Sequence, residues 1–178
     1  MRLLGAILAG GQARRFGGDK AAALLDDKAL IDHVSDMLAP QVDAVVVCGR
    51  QWTGRASIAD CPAPGLGPLG GLNAALQHAS HSGYDAVLTT GCDVLPVPDL
   101  RALVGPVAAV IDEQWLFGFW PVALAASLDA HLVSQQDRSI RHWIAVSGAR
   151  RAACATSFHN FNTRDDFELY KAERGLAA

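Results

Sequence analysis

Residues 7–20 read ILAGGQARRFGGDK. Four glycines, two adjacent arginines and an Asp-Lys pair follow directly on an apolar run that begins at Leu3. That run, Leu3 to Ala9, is short, continuous and ended by glycine, as expected of a strand covered on both faces. A chain that leaves such a strand with this much flexibility and positive charge is making a tight turn or a binding site. As a turn, the glycines would supply positive φ. As a site, exposed loop N–H groups would surround phosphate, with Arg14, Arg15 and Lys20 adding charge. The Walker pattern G-x-x-x-x-G-K-[ST] fails, because Gly17 and Gly18 are followed by Asp19.

The remainder of the chain narrows this choice. With 178 residues, 51% apolar and 19% charged, it has the length and composition of one domain, 1–178, with a substantial core. A net charge of −3 argues against a broad basic surface for nucleic acid, so any anionic ligand must be held by a local cluster of cations. Cys48, Cys61, Cys92 and Cys154 form no C-x-x-C pair, which suits free thiols in a reducing compartment. The apolar N-terminus is too short to span a membrane. The expectation is a cytoplasmic protein.

Apolar runs at 44–48 (AVVVC), 56–58 and 86–90 (AVLTT) predict further strands, and 107–111 and 115–119 two more, with Asp112-Glu113 turning between them. Helical spacing predicts helices over 30–38, 69–79, 99–104, 124–133, 139–146 and 164–173. Strands alternating with helices imply an α/β domain with a largely parallel sheet. Ligands of such sheets bind at the carboxyl ends of strands. Residues 10–20, 60–71 and 91–93 all sit at such ends.

Gly65-Leu66-Gly67-Pro68-Leu69-Gly70 matches G-x-G-x-x-G by spacing alone. The preceding strand ends near Asp60, prolines intervene, and Pro68 removes a donor from the turn that should hold a pyrophosphate. A second close approach of backbone to ligand fits better than a dinucleotide fold. Asp93, just past a strand, is either a helix cap or turn former, or a carboxylate among phosphate oxygens able to hold Mg²⁺. Asp60 is either a turn residue or an acceptor suited to the adjacent N–H donors on guanine's Watson–Crick edge.

With these residues in place, the chain resembles the nucleotidyltransferases of molybdenum-cofactor maturation, and within them the molybdenum cofactor guanylyltransferase (MobA) family. The signature L-A-G-G-x-x-x-R-x-G-x-D-K appears as Leu8-Ala9-Gly10-Gly11, Arg15, Gly17 and Asp19-Lys20. G-P-L-x-G appears as Gly67 to Gly71, with Asp60 at the expected distance before it. C-D-x-P-x-x-P is approximated by Cys92 to Pro98, and N-T-x-[DE]-[DE] is Asn162 to Asp166. Phe16 replaces the usual Met. Cys48 stands where some relatives carry an Asn that contacts the nucleotide.

The resemblance implies a Rossmann-like, three-layer α/β/α nucleotidyltransferase fold, nucleotide-binding in its N-terminal half and acceptor-binding in its C-terminal half. It implies transfer of GMP from GTP to molybdopterin carrying molybdenum, with release of pyrophosphate and formation of the guanine dinucleotide. Leu8, Ala9, Gly10, Gly11, Lys20, Asp60 and Asp93 would bind the nucleotide, and Lys20, Arg15 and Asp93 would be catalytic. Asp93 would ligate Mg²⁺, and Gly18, Asn160 and Asn162 would meet the acceptor. Arg138, Arg141, Arg150 and Arg151 are either ligands of the pterin's phosphate or a solvated face. Further partners implied are the molybdenum-insertion and cofactor-receiving enzymes. Two rivals stand beside this reading. One is an enzyme of the same fold using CTP with molybdopterin, or GTP with cobinamide phosphate. The other is a GTP- or cofactor-binding protein without turnover, which would not demand both Lys20 and Asp93.

Overall fold

The structure, a computed structural model, describes residues 1–11, 16–134 and 137–175. Its first strand, β1 (Leu3–Leu8), is buried along its whole length. Alternation sends Leu3 and Ile7 to one apolar cluster and Leu4, Ala6 and Leu8 to the other, so both faces of the strand are covered. Beside it lies β2 (Ala44–Cys48), parallel, and beyond that β3 (Ala56–Ile58), also parallel. On the other side runs β4 (Ala86–Gly91), again parallel to β1. Then come β5 (Ala109–Ile111) and β6 (Gln114–Pro121), a hairpin in which β6 inserts antiparallel between β4 and β5. The edge is β7 (Arg150–Ala152), parallel to β5. The sheet order is β7-β5-β6-β4-β1-β2-β3, and among the described residues only β6 runs against the rest.

Helices cover both faces, giving the expected three layers. Helix α1 (Leu30–Leu38) buries Leu30, Ile31, Val34 and Leu38, the spacing of a single helical stripe. Three helices, α2 (Pro68–His81), α3 (Ala125–Ser134) and α4 (Ile140–Ser147), bury Leu72, Leu76, Leu128, Leu132 and Trp143 against the opposite face. The last helix, α5 (Arg164–Glu173), returns to the first face, where Phe167 and Tyr170 pack on Phe161. Phe16 meets the Phe167 ring edge-on at 6.0 Å. A flat aromatic serves at position 16 because its neighbours are aromatic. Among the described residues no helix is long and apolar enough to cross a membrane.

Several expectations need correction. The predicted helix over 99–104 is a single 3₁₀ turn, Leu100–Leu103, capped by Asp99. Val104 is already extended, and Pro106 disfavours helix at the residue before it. The predicted strand at 107 begins at Ala109. Two ribbons were not foreseen, Leu24–Leu25 with Lys28–Ala29, and Val94–Leu95 with His159–Asn160. Arg150 and Arg151, read as phosphate ligands or a solvated face, are exposed on the edge strand β7, in keeping with the second alternative. There the Arg150 guanidinium donates to the Leu103 carbonyl at 3.1 Å.

Candidate active site

The strand order reverses direction at β1, with β2 on one side and β4 on the other. At such a point the loops leaving neighbouring strands part and open a crevice at their carboxyl ends. Here that crevice is a cavity of about 230 Å³ lined by Leu8 at the end of β1, Ala9, Gly10 and Gly11 just past it, Arg50 after β2, Asp60 after β3, and Cys92 and Asp93 after β4. Asp19, Lys20, the first turn of α2 and Leu116 complete the wall. The start of α2 presents its positive dipole end to the cavity through Gly67, Pro68 and Gly71.

Glycine allows the close approach of two of these loops. Gly49 has φ of +84°, and a Cβ there would lie 2.5 Å from the Cα of Gly10. The two backbones thus touch with no side chain between them. The Asp60 carboxylate fills the notch beside them, 2.8 Å from where a Gly10 Cβ would stand and 2.7 Å from a Gly49 one. Its Oδ1 is buried and has no hydrogen-bond partner among the described residues. Burial pushes the Asp60 carboxyl above the usual carboxylate range. Asp60 also lines the cavity, so its carboxylate can accept from a ligand's N–H groups there.

Lys20 is delivered by a 3₁₀ turn, Lys20–Ala22, whose cap is Asp19: the Asp19 carboxylate accepts from the Ala21 N–H at 3.1 Å. Lys20 Nζ donates to Asp93 Oδ2 at 2.8 Å, with the lysine side chain only 13% exposed and the aspartate 26%. The helix-cap alternative for Asp93 is not realised, since its carboxylate bonds Lys20 instead. The Asp93 backbone carbonyl accepts from the Phe161 N–H at 3.0 Å. With the Asn160–Val94 ladder pair, this bond carries Asn160 and Asn162 across 67 residues or more of sequence to the side of Asp93. A second recess of about 220 Å³ results, lined by Asp93, Val94, Glu113, Gln114, Trp115, Leu116, Asn160 and Asn162 among others. Asp93 therefore borders both cavities.

The chemistry around Asp93 suits a hard cation. Its Oδ2 rests on Lys20, while Oδ1 lies over Gly91, where a Cβ would stand 2.8 Å away and close the space. Asn162 lines the same recess. Among the described residues no cluster of three or more His, Cys, Asp or Glu side chains forms a full cage. One carboxylate with substrate phosphates completing the shell is the usual way Mg²⁺ is held.

The remaining expected residues are distributed as follows. Gly18 does not join the two asparagines. It lines an adjacent recess with Ala9, Gly10, Gly11, Asp19, Gly49 and Arg50, on the side of the first cavity. Arg15 and Arg14 lie outside the described residues. Cys48 is fully buried beneath the cavity wall, packed toward Gly71, and its thiol is pushed far up by burial and then by Asp60. Arg141 and Arg151 flank the Trp115 ring at 5.8 and 6.0 Å. Arg50, Asp19 as a cap, Cys92 and Leu116 were missed. For Arg50 the signal was its place two residues beyond a strand's carboxyl end.

The profile of the MobA-like NTP transferase domain matches residues 5–154. The chain is 33% identical over 205 residues to the molybdenum cofactor guanylyltransferase of Rhizobium leguminosarum bv. trifolii, covering 99% of this chain and 94% of that protein. It is 35% identical over 189 residues to the molybdenum cofactor guanylyltransferase of Cereibacter sphaeroides, covering 97% and 96% respectively. In fold it is similar to the crystal structure of molybdopterin-guanine dinucleotide biosynthesis protein A from Archaeoglobus fulgidus. The TM-score is 0.77 at 21% identity, covering 97% of this chain and 98% of the other.

Proposed function

Since the chain belongs to the family of MobA-like NTP transferase domains, we propose that it transfers GMP from GTP to the terminal phosphate of molybdenum-bearing molybdopterin. The products are the guanine dinucleotide form of the cofactor and pyrophosphate. The observation that carries this reading is that Asp93, paired with Lys20, borders two cavities at once. A group transfer needs two ligands meeting at one charged boundary, whereas simple nucleotide binding needs one.

The first cavity takes GTP. The Asp60 carboxylate, on the wall of that cavity, accepts from the N–H donors of guanine. Loop amides after Ala9, the first turn of α2 and Lys20 Nζ neutralise the phosphates. The second recess takes the acceptor, with the Asn160 and Asn162 amides beside the attacking phosphate. On this reading the N-terminal half supplies most of the nucleotide wall, and residues 113–117 and 160–162 supply the acceptor wall.

An oxygen of the pterin's phosphate attacks the α-phosphorus of GTP in line. A new P–O bond forms, the bond from the α-phosphorus to the α,β-bridging oxygen breaks, and pyrophosphate leaves with that electron pair. A phosphate monoester is already largely ionised near pH 7, so no side chain has to remove a proton. The protein's work is alignment and charge neutralisation, with Lys20 Nζ stabilising negative charge that grows during transfer. Asp93 and Asn162 would hold Mg²⁺ together with phosphate oxygens, the ion supplying further neutralisation of the phosphates. The test is pyrophosphate release from GTP, ATP and CTP, each with and without molybdopterin. Release from GTP that depends on the pterin is expected. Release from CTP alone, or none from any nucleotide, would overturn the reading.

A further inference from the structure

Arg50 is the cation on the nucleotide cavity that no motif explains. It follows Gly49 at the exit of β2, lines both the first cavity and the adjoining recess with Gly18, and is 27% exposed. Its Nη1 donates to Asp19 Oδ1 at 2.7 Å. That is one of five N–H donors on a planar fork, and among the described residues the others have no protein acceptor. Charge balance gives those donors a purpose. The described wall of the cavity carries three carboxylates, Asp19, Asp60 and Asp93, against two cations, Lys20 and Arg50. Lys20 is already engaged with Asp93. Arg50 is thus the cation of the described wall whose remaining donors are open to a polyphosphate.

We propose that Arg50 binds the polyphosphate of the nucleotide. Asp19 anchors one arm of the guanidinium, and the free arms take phosphate oxygens. This deepens, and rests on, the GTP reading given above. Asp19 then has two tasks, capping the turn that delivers Lys20 and orienting Arg50, so one carboxylate sets the position of both cations.

The experiment is calorimetric titration of the full chain with guanosine, GMP, GDP and GTP, for the unmodified protein, Arg50→Gln and Asp19→Asn, with melting temperatures recorded for each. Loss of charge-assisted hydrogen bonds at a partly exposed site should weaken GTP on the order of tenfold in Arg50→Gln. The loss should shrink through GDP and GMP and vanish for guanosine. Asp19→Asn keeps a good cap and an acceptor for Arg50 but loses the ion pair that orients it, so GTP should weaken less than in Arg50→Gln and guanosine should be unchanged. If Arg50 is only a strut for the loop, both variants will weaken every ligand alike, guanosine included, and the proposal is overturned. Unchanged GTP affinity in Arg50→Gln, with the unmodified protein still preferring GTP, overturns this inference alone. Absence of GTP binding by the unmodified protein overturns the functional reading with it.

Discussion

Asp60 holds a buried, unpartnered oxygen against the backbones of Gly10 and Gly49, so Asp60→Asn should raise stability and lower nucleotide affinity together. Asn keeps a polar atom at the buried position but removes the charge that burial penalises, and because water reaches part of the side chain the gain should be small, about 1 kcal/mol. In a chain of this length that is worth a rise in Tm of about 2–4 °C. The pH dependence follows from the direction of the shift. Burial raises the carboxyl above its unfolded value of 3.8, so on raising pH the unfolded chain ionises first. The penalty is therefore fully present above the folded pKa, fades as pH falls toward 3.8, and is gone well below 3.8, where both states are protonated. The Tm gap between variant and unmodified protein should be widest near pH 7 and should narrow steadily toward pH 4. Removing a charged acceptor for two N–H donors should cost about 1.5–3 kcal/mol of GTP binding, roughly 10- to 100-fold in Kd. Scanning calorimetry across pH with GTP titrations measures both effects. A variant that melts below the unmodified protein at pH 7 would refute the reasoning, since it would mean that the carboxylate is a satisfied structural group.

Three further outcomes follow from the same site. Asp93→Asn keeps the size of the side chain but removes the charge that a divalent ion and Lys20 both use. GTP should still bind by calorimetry, while pyrophosphate release nearly disappears and is partly rescued by excess Mg²⁺; an active variant would rule out a metal role. Lys20→Ala should lower kcat on the order of 10²-fold with little change in Tm, and an unchanged kcat would leave Lys20 a mere partner of Asp93. Gly49→Ala places a Cβ 2.5 Å from the Gly10 Cα at a φ of +84°, so it should cost at least about 2 kcal/mol and lower Tm accordingly in a thermal melt.

The parallel strands and long helices were legible because each announces itself locally, β1 by an unbroken apolar run and α1 by its helical stripe. The glycine-rich exit of β1 and the carboxylates at 60 and 93 were legible because strand ends are where such sheets place ligands. What stayed hidden depends on distant pairing. Val94–Leu95 is two residues long and becomes a strand only through His159 and Asn160. Arg150 to Ala152 reads as charged surface and is an edge strand, a place where charge is tolerated because one side meets water. Cys48, at the position where some relatives carry an Asn that contacts the nucleotide, is buried in the core, and it is Arg50, beyond the end of β2, that reaches the cavity.

The bond from the Phe161 N–H to the Asp93 carbonyl, and the packing of Phe16 on Phe167, tie the end of the chain to its beginning. A polypeptide is made from its N-terminus onward. Synthesis therefore delivers Asp93 and Phe16 well before the segment 160–167 that seats them. The asparagines beside Asp93 and the aromatic partner of Phe16 exist only once that segment is made, so this part of the site is a late product of synthesis however early β1, β2 and β4 can form.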